Sequence, residues 1–200
     1  MNADDYAHRM GVSHIPVREA LRALQADGWI VLRHHQGAFV RDRDPADLAD
    51  LFETRIHLED EVAVLAAQRR TAAQLAELEE ILGRQVGTHD SGEIARINAE
   101  FHTFLAACPQ NSVLTEYVRN LSKRVRFCFL PASMQRRSSS LTEHQGIVAA
   151  VRRHDGNLAR ALLSAHVTDT RNDAARTLAP GSTHRAAISA PAAPDLSALV

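Results

Sequence analysis

The sequence predicts a mainly α-helical chain with one short β-hairpin near its N-terminus. Three observations carry this. Apolar residues recur at helical spacing through most of residues 46–178. The only short apolar runs with β-branched content lie between Trp29 and Val40. Pro45, Gly87, Pro109, Pro131 and Asp155-Gly156-Asn157 punctuate the remainder as breakers between helices.

Two hundred residues suffice for one large or two small domains with a real core. No run of 18 apolar residues is present, so no membrane span is expected, and the N-terminus does not read as a signal peptide. Cys108 and Cys128 have neither metal nor redox spacing and read as reduced core residues of a cytoplasmic protein. A net charge of −1 argues against a general coating of nucleic acid. It leaves room for a specific reader, which needs only one basic face.

The first element is a helix over residues 3–10, with Tyr6, Ala7 and Met10 as its inner face. Gly11 permits a tight turn, Ser13 suits an N-cap, Pro16 is tolerated in the first helical turn, and Glu19 adds charge near the positive helix end. Val17, Leu21 and Leu24 then make one apolar face, His14, Arg18, Arg22 and Gln25 the opposite one, and Gly28 closes the helix. A short capped helix with arginines outward, after a glycine turn, suits the second helix of a helix-turn-helix. Trp29 to Arg33, a turn at His34-His35-Gln36-Gly37, and Ala38-Phe39-Val40 add a hairpin, which makes a winged helix-turn-helix over residues 1–43. An ordinary surface helix with solvated arginines is the bland alternative for the helix alone.

Val12-Ser13-x-x-Pro16-Val17-Arg18-Glu19-Ala20-Leu21, with Leu24, Gly28 and Gly37-Ala38-Phe39-Val40, resembles the DNA-binding domain of the GntR family of bacterial transcription regulators. The resemblance covers roughly residues 5–41. It implies a further helix and loop before residue 3, so the domain reads as N-terminally shortened, with either a later recorded start or a reduced winged helix. On this footing Arg18 reads a base, since Arg takes guanine bidentately, with Arg22 beside it on the same face. Ser13 at the helix N-terminus holds a phosphate, and His35, Gln36 and Gly37 at the wing tip reach the minor groove. His14 stands where the family usually has arginine.

Asp42 to Pro45 is a linker, Asp44 a cap, and Pro45 the first turn of the next helix. Helices follow over 46–69, from Thr71 to before Gly87, from Ser91 to about Ala107, and from Asn111 or Ser112 to about Leu130, where Pro131 ends the run. Ser138-Ser139-Ser140 reads as a loop before a helix through His154, and a last helix runs to about Leu178. Six helices in succession make an all-α antiparallel bundle over 44–179. Residues 180–200 carry prolines among Ala and Ser without periodicity and read as a disordered tail.

Asn98 and His102 are four apart on one helix face, His144 lies near the start of the penultimate helix, and His166 lies within the last. Imidazoles from three helices of a bundle can form the shell of a divalent transition metal with open positions, although a lone histidine is more often surface or core. Asn98-x-x-Phe101-His102, Glu143-His144-x-x-Ile147-x-x-Ala150, Asp155-Gly156-Asn157-x-x-x-Ala161 with His166, and Arg55-x-x-Leu58-Glu59 are similar to the FCD effector domain of the FadR subfamily. Six helices resemble its VanR-like branch. The resemblance implies metal ligation by His102, His144 and His166, with zinc or nickel expected. Asn98 occupies the position of an aspartate ligand and is a poorer donor. It also implies a small organic acid effector, for which Arg55, Arg119 and Arg126 are candidates.

The function expected is therefore a ligand-responsive regulator whose homodimer binds a palindromic double-stranded DNA operator. A truncated sensor with impaired DNA binding is the first alternative. A metal-dependent hydrolase is the second, though only Glu143 could serve as a general base and nothing orients it.

Overall fold

The structure, a computed structural model, describes residues 2–34, 36–41 and 45–178. The chain divides into two compact units, Met1–Asp44 and Pro45–Val200. The expectations for the Asp44 cap, His35 and the tail over 180–200 fall outside the described residues.

In the first unit, α1 (Ala3–Met10) begins at Asn2, whose side chain accepts a hydrogen bond from the Asp4 backbone N–H at 3.0 Å. It ends at Gly11 with φ of 63°, a left-handed conformation that glycine adopts without a Cβ clash. α2 (His14–Ala26) follows, and β1 (Ile30–Arg33) pairs antiparallel with β2 (Gly37–Val40), Ile30 opposite Val40 and Arg33 opposite Gly37. Ala7, Ile30 and Ala38 form the small buried core. That core is too small to cover Met10 and Leu24, which the spacing places inward and which are 57 % and 40 % exposed. Val17 and Leu21 are half-buried. Because α2 starts at His14, Glu19 falls in its second turn, beyond the strongest field of the helix end.

Among the described residues the second unit holds six α-helices: α3 (Pro45–Arg69), α4 (Ala72–Val86), α5 (Ser91–Leu105), α6 (Ser112–Phe129), α7 (Arg137–Arg152) and α8 (Gly156–Leu178). Their starts follow local chemistry. Thr71 and Gln74 form a reciprocal capping box for α4, Asp90 caps α5, and Asn111 caps α6. Asp155 accepts from the Leu158 N–H at the start of α8. α3 packs on α8, α5 on α6, and α7 on α8. Phe52, Leu78, Ile81, Ile94, Ile97, Phe101, Leu105, Ile147 and Leu163 are fully buried among them.

The start of α7 differs from the sequence expectation, whereas the end of α6 agrees with it to within one residue. Ser138, Ser139 and Ser140 are not a loop but the first turn of α7. Their helical form is held by tertiary contacts: Ser140 is buried and its hydroxyl reaches Asn98 Oδ1 at 3.4 Å, while the Ser140 N–H bonds the Arg136 carbonyl at 2.8 Å. α6 ends at Phe129, and Pro131 sits in a separate 3-10 turn, Leu130–Ala132. Cys108 is buried as expected of a core thiol, whereas Cys128 is only half-buried.

Candidate metal centre and DNA-binding face

The bundle places a column of polar residues inside an apolar interior. On α3 the buried stripe of Phe52, Arg55, Glu59, Val62 and Ala66 has helical phase, so Arg55 and Glu59 face the core despite their charge. Asn98, Phe101, His102 and Leu105 do the same on α5, and Ser140, His144, Ile147 and Val151 on α7. His102, His144 and His166 are at most 1 % exposed.

The three imidazoles meet through their Nε2 atoms. His166 Nε2 lies 3.1 Å from His102 Nε2 and 3.2 Å from His144 Nε2. The set of three ligand atoms lies within 4.8 Å. Each ring turns its other nitrogen to an oxygen acceptor. His102 Nδ1 is 2.6 Å from Glu59 Oε2, His166 Nδ1 is 2.6 Å from Glu143 Oε2, and His144 Nδ1 is 3.3 Å from Gln85 Oε1. In a neutral imidazole an Nδ1–H donated to those oxygens leaves Nε2 unprotonated, as a lone pair. Burial drives all three pKa values well below the usual histidine value, and neighbouring positive groups, Arg55 among them, add to this. Neutral rings thus aim three lone pairs at one another at close range. Such an arrangement is repulsive alone and suits a cation held between them.

The spacing also fits an ion. Two metal–nitrogen bonds of about 2.0–2.1 Å at tetrahedral or right angles place their nitrogens about 2.8–3.4 Å apart, a range that includes both His166 Nε2 distances. Carboxylates behind two of the rings fix tautomer and orientation, as outer partners of ligating histidines commonly do. The Phe101 ring stacks on His144 with centroids 4.0 Å apart and shields that side of the centre from water.

The charges around the histidines are paired. Arg55 Nε bonds Glu59 Oε1 within α3. Arg136 spans Glu143 and Asp173, the latter at 2.6 Å, and Asp173 also pairs with Arg176. Burial pushes the Glu143 carboxyl up, opposed by Arg136. Buried donors without a partner among the described residues include Arg55 Nη1 and Gln85 Nε2.

Of the effector candidates, only Arg55 reaches this region. Arg119 and Arg126 are exposed on α6, whose inward positions are Val118, Ser122 and Val125. Each arginine follows an inward residue by one position, a rotation of about 100°, and so projects off the core face. The structure brings Arg136 to the site instead. Asn98 is buried one turn before His102, with its Oδ1 accepting from Ser140 rather than standing free. Arg136, Asp173 and Gln85 carried no expectation from sequence. Gln85 had a usable signal, because it continues the Leu78, Ile81, Leu82 stripe of α4.

In the first unit, Ser13 has N-cap geometry but makes no side-chain capping bond, so its hydroxyl is exposed and uncommitted as a cap. Arg18, Arg22 and Gln36 are exposed, and Gly37 is half-buried with φ of 93°. His14 is engaged: its Nδ1 lies 2.9 Å from Asp4 Oδ1.

Comparison with known proteins agrees with both units. Residues 5–40 match the bacterial regulatory proteins of the gntR family, and residues 50–169 match the FCD domain. The chain is 32 % identical over 169 residues to the Nta operon transcriptional regulator of Aminobacter aminovorans, covering 84 % of this chain and 80 % of that protein. It is 28 % identical over 186 residues to the HTH-type transcriptional regulator LutR of Bacillus subtilis, covering 82 % and 85 %. Escherichia coli McbR/YncC shares the fold with a TM-score of 0.77 at 21 % identity, over 88 % of this chain and 87 % of that one. No helix among the described residues is long and apolar enough to cross a membrane. The chain belongs to the GntR family with an FCD domain, and it is a transcription regulator rather than an enzyme.

Proposed function

We propose that the chain is a metal-containing, effector-responsive regulator that acts as a cytoplasmic homodimer on a palindromic operator. The convergence of three Nε2 lone pairs, each ring backed by an oxygen on Nδ1, is the observation that carries the metal reading. His102, His144 and His166 would hold a divalent transition metal, zinc or nickel, which would offer its open positions to a carboxylate. Arg55, whose Nε bonds the Glu59 carboxylate behind His102 and whose Nη1 is buried without a partner among the described residues, supplies the second anchor for a small organic acid.

On the DNA side, Arg18 reads a base edge, Arg22 and the wing residues Gln36 and Gly37 support it, and Ser13 donates to a phosphate. His14 contributes through Nε2 only, while Asp4 holds Nδ1. Acid binding then shifts the population between bundle conformations with different operator affinity. The test is operator selection from random duplexes with the full chain, followed by gel shift with added zinc and a panel of small carboxylic acids. The proposal expects an enriched palindrome whose affinity changes with at least one acid. A chain that enriches no sequence, or one whose binding no acid alters, refutes the corresponding half.

A further inference from the structure

The outward face of α2 carries His14, Arg18, Arg22 and Gln25, which fall within about 80° of one another around the helix axis. All four are exposed, and His14 is the first residue of the helix. Arg18 and Arg22 can only donate hydrogen bonds. His14 differs, because Asp4 in the first turn of α1 lies 2.9 Å from its Nδ1. A carboxylate accepts and does not donate, so Nδ1 carries the proton, and in the neutral imidazole Nε2 is then a bare lone pair. The contact joins the two helices of the helix-turn-helix and still leaves the His14 side chain 59 % exposed.

A lone pair has a narrow choice of partners on a duplex. Phosphate oxygens are themselves acceptors and repel it. In the major groove guanine presents N7 and O6 and thymine presents O4, all acceptors, whereas cytosine offers its N4 amino group and adenine its N6. We infer that His14, its tautomer set by Asp4, selects an amino base, cytosine or adenine, over a keto base, guanine or thymine, at one position of each half-site. The inference rests on the reading of α2 as the helix that enters the major groove. His14 is the specificity-determining residue and Asp4 a positioning residue, which acts only by fixing the nitrogen that carries the proton. One neutral hydrogen bond discriminates by about three- to tenfold.

Operator selection from random duplexes with the full chain, at about pH 8 where an ordinary histidine is neutral, tests this. Wild type is expected to enrich adenine or cytosine about three- to tenfold at one position of each half-site. His14→Arg, a donor in place of an acceptor, switches that position to guanine. Asp4→Ala frees both tautomers and levels the preference there, while the remainder of the selected site stays as in wild type. Asp5→Ala removes the same charge from the same turn of α1 and keeps the wild-type preference. An identical site from wild type and His14→Arg, an amino preference that survives Asp4→Ala, or one that is levelled equally by Asp5→Ala overturns the inference and leaves the operator reading standing. No enriched sequence with wild type overturns the operator reading itself.

Discussion

Replacing Glu59 by Gln isolates the value of one buried charge. Arg55 and Glu59 are 1 % and 2 % exposed, so neither can turn to water when its partner is altered. The amide retains an oxygen for the His102 Nδ1–H, preserving that hydrogen bond and the side-chain shape, while the Arg55 guanidinium loses its counter-charge. Among the described residues the Arg55 Nη1 is already without a partner, so no other acceptor takes the place of the lost carboxylate. Removing one member of a buried pair costs about 3–5 kcal/mol, because the other is left charged in a medium that solvates it poorly. At roughly 2–4 °C per kcal/mol for a domain of this size, the melting temperature falls by about 6–20 °C. Circular-dichroism melts and urea titrations in excess chelator measure it without a contribution from metal. The double variant Arg55→Met with Glu59→Gln should regain part of the loss, because the stranded charge is gone. A Glu59→Gln protein that melts with wild type, or a double variant less stable than the single one, refutes the electrostatic reasoning.

Three further outcomes follow from the same structure. Arg18→Ala should weaken binding to a selected operator by about 1–3 kcal/mol and flatten base preference at one position of each half-site, read by gel shift against single-base operator variants. Burial pushes the Cys108 thiol up to about 11 from an ordinary 9.0, so the folded state holds its proton where the unfolded state releases it. The associated stability is complete below about pH 9 and is lost as pH rises toward about 11; the decline in urea midpoint over that window should flatten in Cys108→Ala. Gly156→Ala should destabilise the bundle by about 1–3 kcal/mol, since a Cβ there would sit 3.3 Å from the Val64 backbone and side chain, where α8 starts against α3; a neutral urea titration would contradict that packing.

Much of the architecture was readable from residue types. Ser13, Pro16 and Gly28 delimit α2, the Thr71–Gln74 box starts α4, and the breakers separate the six bundle helices. The histidines were readable as a group only through the resemblance, because spacing cannot say that helices 64 residues apart in sequence bring His102 to His166. What escaped was long-range or out of phase. Arg136 stands in an irregular stretch and its partner Asp173 lies 37 residues away, so no local pattern marks the pair. The serines before His144 have weak intrinsic helix preference, and the Ser140–Asn98 contact overrides it. The exposure of Arg119 and Arg126 follows from the phase of Val118, Ser122 and Val125, which turns both off the core face. Glu59 and Gln85 carry the converse signal, polar side chains on otherwise apolar stripes.

The most direct measurement is zinc K-edge X-ray absorption on full-length protein stripped with chelator and reloaded with one equivalent of zinc. The account predicts stoichiometric uptake and a first shell containing three imidazole nitrogens at about 2.0–2.1 Å, reduced by one in His166→Ala with the helical circular-dichroism signal retained. A shell of oxygen alone, or one unchanged in that variant, would contradict it.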